Sequence, residues 1–81
     1  MLHFFIVIFT NAELENSQFT QTSFFQDVSF HNAKIIDGSF KRSMFIDYVN
    51  FSNADLKGTL FDGITMIGNI VFNCKNNQIC N

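Results

Sequence analysis

Large apolar residues recur along this chain in steps of five, and every fourth step is six residues long. The residue two places before each of them is small or β-branched, and most of the other positions are polar. An α-helix repeats at about 3.6 residues and a β-strand at about 2, so neither regular element explains the pattern. The large apolar positions, which we expect to form the core, are Phe9, Leu14, Phe19, Phe24, Phe30, Ile35, Phe40, Phe45, Phe51, Leu56, Phe61, Met66 and Phe72.

The steps of five and six combine into a longer repeat of 21 residues. It is visible in "VIFTNAELE", "VSFHNAKII" and "VNFSNADLK", which begin at Val7, Val28 and Val49. Four short sides followed by a return to the start describe a coil, and stacked coils place equivalent sides at the strand spacing of about 4.8 Å. The repeat therefore predicts four columns of stacked side chains, headed by Phe9, Leu14, Phe19 and Phe24.

Two segments of the repeat, "NADLK" at Asn53 to Lys57 and "NAELE" at Asn11 to Glu15, resemble the pentapeptide-repeat signature Ala-(Asp/Asn)-Leu-x-x. The resemblance covers residues 7–73 and implies an all-β fold, a right-handed quadrilateral parallel β-helix of about three coils. It also implies that one small and one large residue point inward from each side. The sixth residue of each coil, at Asp27, Tyr48 and Asn69, departs from the family pattern, and we expect it to form a bulge at one corner.

The corners have their own pattern of residues. Asn11, Asn32 and Asn53 fall in register, and Asn tolerates the left-handed backbone that a sharp corner needs. A ligand-binding role for these amides is the less favoured interpretation. We interpret Gly58, Gly63 and Gly68 as turn glycines, because the Gly-Lys-Ser/Thr of a phosphate-binding loop does not follow them.

The segments outside the repeat divide the chain into three parts. We expect residues 1–6 to be an apolar N-terminal strand or cap, residues 7–73 the solenoid, and residues 74–81 a polar C-terminal tail or cap. The opening "MLHFFIVIF" is shorter than the about 20 residues that a membrane-spanning helix needs, and it lacks the features of a signal peptide. Membrane association is therefore the less favoured interpretation of this segment.

Composition and charge narrow the classes of function. The chain has 81 residues, of which 47% are hydrophobic, with 12 Phe and no Trp or Pro, and this is too apolar for a disordered segment. Its net charge of −2 lacks the basic footprint of a nucleic-acid-binding protein and is not acidic enough to imitate DNA. Acidic and basic residues are also predicted to alternate in one column, through Glu13, Lys34 and Asp55.

The sequence offers little catalytic chemistry. His3 and His31 are far apart, no Ser–His–Asp set is visible, and no paired carboxylates occur where a pocket is expected. A tube filled with side chains leaves no cleft, so we expect neither an enzyme nor any catalytic, cofactor or metal site. We interpret Cys74 and Cys80 as two free thiols, with a small disulfide as the alternative in an oxidising compartment.

One outward face differs from the others. Phe25, Ile46 and Ile67 are predicted to stack on the fourth side, with Met44 beside them and Tyr48 at the nearby corner. A contiguous apolar surface rimmed by polar residues indicates an interaction site. The alternative is that a terminal segment of the chain folds over it.

These features predict a non-catalytic interaction or scaffold module in the cytoplasm, which binds a protein partner or a second copy. We expect no direct nucleic-acid contact, no small-molecule substrate and no membrane insertion. One alternative comes from the family, since some members resemble duplex DNA and occupy the DNA-binding surface of type II topoisomerases, giving quinolone resistance. The short predicted rod and its lateral cations, Lys34, Lys41, Arg42 and Lys57, argue against this role. A secreted effector is the other alternative.

Overall fold

A computed structural model describes residues 3–80 as a parallel β-solenoid of about three turns. Successive turns lie side by side, and each strand pairs in parallel with the equivalent strand of the next turn. The elements are β1 (His3–Phe4), β2 (Val7–Ile8), β3 (Ser23–Phe24), β4 (Asp27–Ser29), β5 (Met44–Asn50), β6 (Thr65–Val71) and a short 3₁₀ helix (Gln78–Cys80).

The register of the strands follows the 21-residue repeat. β5 and β6 pair over seven residues, from Met44 with Thr65 to Asn50 with Val71. On the sides that carry no extended strand, single bridges keep the same offset, as between Lys34 and Asp55, until the last one, from Asp55 to Lys75, which spans 20 residues. The predicted parallel solenoid is confirmed, whereas its right-handed sense stays a prediction.

The backbone turns each corner at a residue with positive φ. The predicted asparagine corner is confirmed, with φ of 64° at Asn11 and 60° at both Asn32 and Asn53. The expected turn glycines also have positive φ. Because non-glycine residues with positive φ are mostly Asn, Asp and other polar residues at turns, the polar corners of the sequence have a direct backbone cause. The other corner columns are Asn16, Asp37 and Gly58; Gln21, Arg42 and Gly63; and Gln26, Asp47 and Gly68.

The sixth residue of each turn is accommodated without loss of register. Asp27, Tyr48 and Asn69 pair with one another in adjacent turns. The left-handed residue at this corner is the one before, as at Asp47, where φ is 73°. Each of these turns has one extra residue at the same place in the repeat, so adjacent strands keep their pairing as they bend at this corner.

Stacked phenylalanine rings fill the solenoid. In the first column the ring centroids of Phe9 and Phe30 are 5.0 Å apart, and those of Phe51 and Phe72 are 5.3 Å apart, with nearly parallel planes. Rings of neighbouring columns meet edge to face, as for Phe30 and Phe40 at 85°. Both arrangements are favourable for aromatic pairs, and the stacking distance is close to the strand spacing.

Burial of the predicted core positions depends on their distance from the two ends. Phe19, Phe24, Phe30, Ile35, Phe40, Phe45, Phe51 and Leu56 are buried. Phe9, Leu14, Phe61 and Phe72, which lie in the outer turns, are partly buried and pack against this core. Met66 departs from the prediction, because its side chain is 51% exposed where no further turn stacks on β6.

The N-terminal segment adds a partial turn to the solenoid. His3 pairs with Ser23 and Phe4 with Phe24, an offset of 20 residues, whereas Val7 pairs with Val28 at the usual 21. This turn therefore has one residue fewer than the others at the corner that follows the fourth side. The parallel pairing thus begins at His3, ahead of the start expected from the repeat.

The C-terminal segment leaves the repeat and folds against the end of the solenoid. Lys75 bridges to Asp55, after which Asn76 reverses the backbone with φ of 66°. The reversal brings the Cα atoms of Cys74 and Cys80 to 4.9 Å, and the two residues form a disulfide. The expectation of two free thiols was therefore wrong. In the part of the chain that the structure describes, no helix has the length and apolar character needed to span a membrane.

Candidate interaction surface

The fourth side of the solenoid presents a column of apolar side chains to its outside. Ile46 and Ile67 pair in register on β5 and β6. Phe25 follows Phe24, which pairs with Phe45, and this places it in the same column. Successive side chains of a strand point to opposite faces, so burial of Phe24 and Phe45 directs the residue after each of them outward.

A fourth residue, which the 21-residue repeat does not predict, extends this column. Phe4 pairs with Phe24, so Phe5 occupies the position below Phe25. The rings of Phe5 and Phe25 stack with centroids 5.3 Å apart and planes at 20°. We call Phe5, Phe25, Ile46 and Ile67 the apolar stripe. The signal in the sequence was the spacing of 20 between two Phe-Phe pairs, which the 21-residue repeat conceals.

Exposure along the apolar stripe is greatest at its two ends. Phe5 is 53% exposed and Ile67 is 57% exposed, while Phe25 and Ile46 are half-buried between their neighbours. Phe5 thus lengthens the stripe by one aromatic ring, and both ends of the stripe are exposed. The ring of His3 also stacks on that of Phe25, with a centroid distance of 6.0 Å.

Met44 and Tyr48 flank the apolar stripe only in the middle turn. Met44 is half-buried and has polar neighbours in its own column, Ser23 below and Thr65 above. Tyr48 is half-buried beyond the corner at Asp47. The surface is therefore one residue wide over most of its length, with a polar rim.

The second side of the solenoid carries a column of alternating charge. Glu13, Lys34, Asp55 and Lys75 are joined by successive parallel bridges, so acidic and basic side chains follow each other from turn to turn. The predicted alternation of the first three is confirmed, and Lys75 adds a fourth member. Opposite charges at this spacing favour the observed register.

Residues with catalytic potential are dispersed. Within residues 3–80, no group of three or more His, Cys, Asp or Glu side chains is arranged to hold a metal ion. The backbone amide of His31 donates to Ser29 Oγ at 3.2 Å. Its Nδ1 atom is buried without a hydrogen-bond partner among the described residues. Among the described residues, no hydrogen bond therefore joins this ring nitrogen to a second titratable group.

An open groove of about 560 Å³ lies between the C-terminal segment and the side of the solenoid formed by residues 59–62. One of its polar groups, the Asn77 amide, donates to the carbonyl oxygens of Leu56 at 2.8 Å and Thr59 at 2.7 Å. Its amide oxygen accepts a hydrogen bond from Ile79 N. This amide is therefore engaged in holding the segment in place.

Comparison with protein families gives one match. Residues 25–63 match the family model for pentapeptide repeats, in eight copies. These residues span the middle of the solenoid, including Phe25 and Ile46 of the apolar stripe. Neither the curated proteins nor the solved structures contain a match to the chain.

Proposed function

Because this chain belongs to the pentapeptide-repeat family, we propose that it is a non-catalytic interaction module. In this proposal the apolar stripe packs against the same stripe of a second copy. The observation that carries the proposal is the unbroken outward column from Phe5 to Ile67, which follows the strand register through successive turns.

The physical reason lies in the type of sheet. Parallel sheets are usually covered on both faces, and here the inner face of the fourth side is packed while its outer face keeps Phe5 and Ile67 more than half exposed. Contiguous exposed apolar surface favours burial against a partner. A flat face that carries a straight column is also self-complementary, since a twofold axis places the same patch on both subunits.

The width of the apolar stripe sets the strength that we expect. A contact one residue wide belongs with interfaces that bury less than about 1,200 Å², which are weak and transient. We therefore expect reversible dimerisation with a dissociation constant between about 1 µM and 1 mM, which corresponds to an association free energy of about −4 to −8 kcal/mol.

The charges of the second side oppose a DNA-mimicking function. Lys34 lies between Glu13 and Asp55 in this column, and Lys75 follows Asp55, so basic side chains separate the acidic ones. An imitation of the DNA backbone needs an unbroken series of negative charges, since duplex DNA carries one for about every 1.7 Å of its axis. The interaction module is therefore the better supported proposal.

The test is the molar mass in solution, measured by size-exclusion chromatography with light scattering from about 10 µM to 1 mM, the range of the expected affinity. Wild-type protein should shift from monomer towards dimer as concentration rises. Phe25→Ser/Ile46→Ser should stay monomeric, and Phe5→Ser/Ile67→Ser should do the same with less risk to the core, because these side chains are already exposed.

Leu60→Ser is the matched control, because Leu60 is 45% exposed and lies away from the apolar stripe. It should dimerise like the wild type. Equal molar masses for all four proteins at every concentration would exclude self-association through the stripe. A circular-dichroism melt of each variant establishes that the fold is retained.

A further inference from the structure

The C-terminal segment, residues 74–80, acts as a lid over one end of the core. Leu56, the last member of its column, is fully buried, whereas Leu14 at the opposite end of the same column is only partly buried. Met66 shows what an uncovered position in the same turn looks like, at 51% exposure. Ile79 and Cys80 of the segment pack against the core, which explains the difference.

Strand-like attachment of the lid ends at Lys75. Its backbone amide donates to Ala54 O at 3.0 Å, and its carbonyl accepts from Leu56 N at 3.1 Å. After Lys75, the hydrogen bonds found to the solenoid come from side chains. Asn76 donates to the Asp55 carboxylate at 2.9 Å, and the Asn77 amide donates as described above.

The disulfide is the covalent part of this attachment. It ties Cys80, at the end of the lid, back to Cys74, which lies next to the last strand-like contact at Lys75. Without it, residues 76–80 would depend on two asparagine side chains and on the packing of Ile79. Both cysteine residues are only partly buried, which favours attack on the bond by a dissolved thiol.

We propose that the Cys74–Cys80 disulfide is a redox-sensitive clasp that holds the lid closed over Leu56 and opens it on reduction. The reductant is a dithiol. One of its thiolates attacks a sulfur of the disulfide and forms a mixed disulfide, and its second thiol then displaces the protein sulfur. Two electrons and two protons pass to the protein, which leaves Cys74 and Cys80 as thiols and the reductant as a disulfide.

In this proposal the redox poise of the compartment decides whether the lid covers this end of the solenoid. Disulfides persist in oxidising compartments and are reduced in the cytosol. The end of the solenoid is therefore covered in the first setting and open in the second. This inference is independent of the apolar stripe, which lies on another side of the solenoid.

Hydrogen exchange of individual amides, followed by NMR with and without dithiothreitol, tests the clasp. The amides of Leu56 and Lys75 bridge the lid and the solenoid, and reduction should speed their exchange by about tenfold or more, as expected for local opening. The amides of Lys34 and Tyr48 bond within the solenoid, to Ala12 O and Gln26 O, and should keep their rates.

Cys74→Ser/Cys80→Ser is the matched variant. It should exchange like reduced wild type and should not respond to dithiothreitol. A thiol assay on the untreated wild type should detect no free thiol, and two after reduction. Unchanged exchange at Leu56 on reduction, two free thiols before it, or equal acceleration at Lys34 and Tyr48 would each overturn the proposal.

Discussion

The ring of Phe51 lies directly on the ring of Phe30, with centroids 4.9 Å apart and planes inclined by 4°. Phe40 meets both rings edge to face at 5.5 Å. Each ring is thus fixed by its own column and by the next column at the same time. A slip of one residue in the repeat would break both contacts, which explains why the register extends unchanged across the middle turns.

Removal of a central ring should cost more than removal of an outer one. Phe30→Ala should lower the free energy of unfolding by about 3–5 kcal/mol, the range for a fully buried Phe. Phe9→Ala should cost less, because Phe9 is only partly buried. Urea denaturation followed by circular dichroism measures both values, and an equal loss for the two variants would contradict the stacking argument.

The hydroxyl of Ser43 replaces a backbone partner inside the solenoid. It donates to Phe19 O at 2.5 Å and accepts from Thr22 N at 3.2 Å, and the residue is fully buried. Ser43→Ala would leave both groups without this partner, and we expect a loss of about 1–3 kcal/mol in urea denaturation. Thr65→Ala on the exposed face of β6 is the control, with an expected change within about 0.5 kcal/mol. Similar losses in the two variants would show that the Ser43 bonds contribute little.

The sequence predicts the middle of this solenoid far better than its ends. Each central turn contacts copies of itself, so the spacing of Phe30, Phe40 and Phe51 already contains the columns, the register and the corners. Phe5 and the Cys74–Cys80 disulfide lie where one residue is missing from the repeat. Their positions depend on contacts made once in the chain, and no periodic signal describes such contacts. The apolar stripe was accordingly predicted from Phe25 to Ile67 and missed at its N-terminal end, at Phe5.

Two corner glycines should differ in how well they tolerate a side chain. At Gly68 φ is 122°, and a Cβ would lie 2.5 Å from Asp47 O, so Gly68→Ala forces the backbone to move. At Gly63 φ is 73°, and the nearest atom to a Cβ would be Arg42 Cγ at 3.5 Å. We expect thermal denaturation to show a loss of about 1–2 kcal/mol for Gly63→Ala, the ordinary cost of left-handed backbone. The loss for Gly68→Ala should be clearly larger. The reverse order would mean that the close approach to Asp47 is not what fixes this corner.

The charge column should respond to the sign of its central member. Lys34 lies between Glu13 and Asp55, so Lys34→Glu places three carboxylates at successive strand spacings. We expect the free energy of unfolding to fall by about 1 kcal/mol or less at low salt, because Glu13 and Lys34 are exposed to solvent and Asp55 is only partly buried. Lys34→Gln removes the attraction without adding repulsion, and it should fall between the wild type and Lys34→Glu.

Salt separates this electrostatic effect from a change in packing. At about 1 M NaCl the screening length is about 3 Å, shorter than the distance between adjacent strands, so the difference between Lys34→Glu and Lys34→Gln should largely disappear. Urea denaturation of both variants at low and high salt measures it. A difference that persists at high salt would contradict the electrostatic origin, because Glu and Gln have nearly the same shape and neither keeps the aliphatic stem of Lys34. A loss that both variants share at high salt would instead measure the packing of that stem, which salt does not screen.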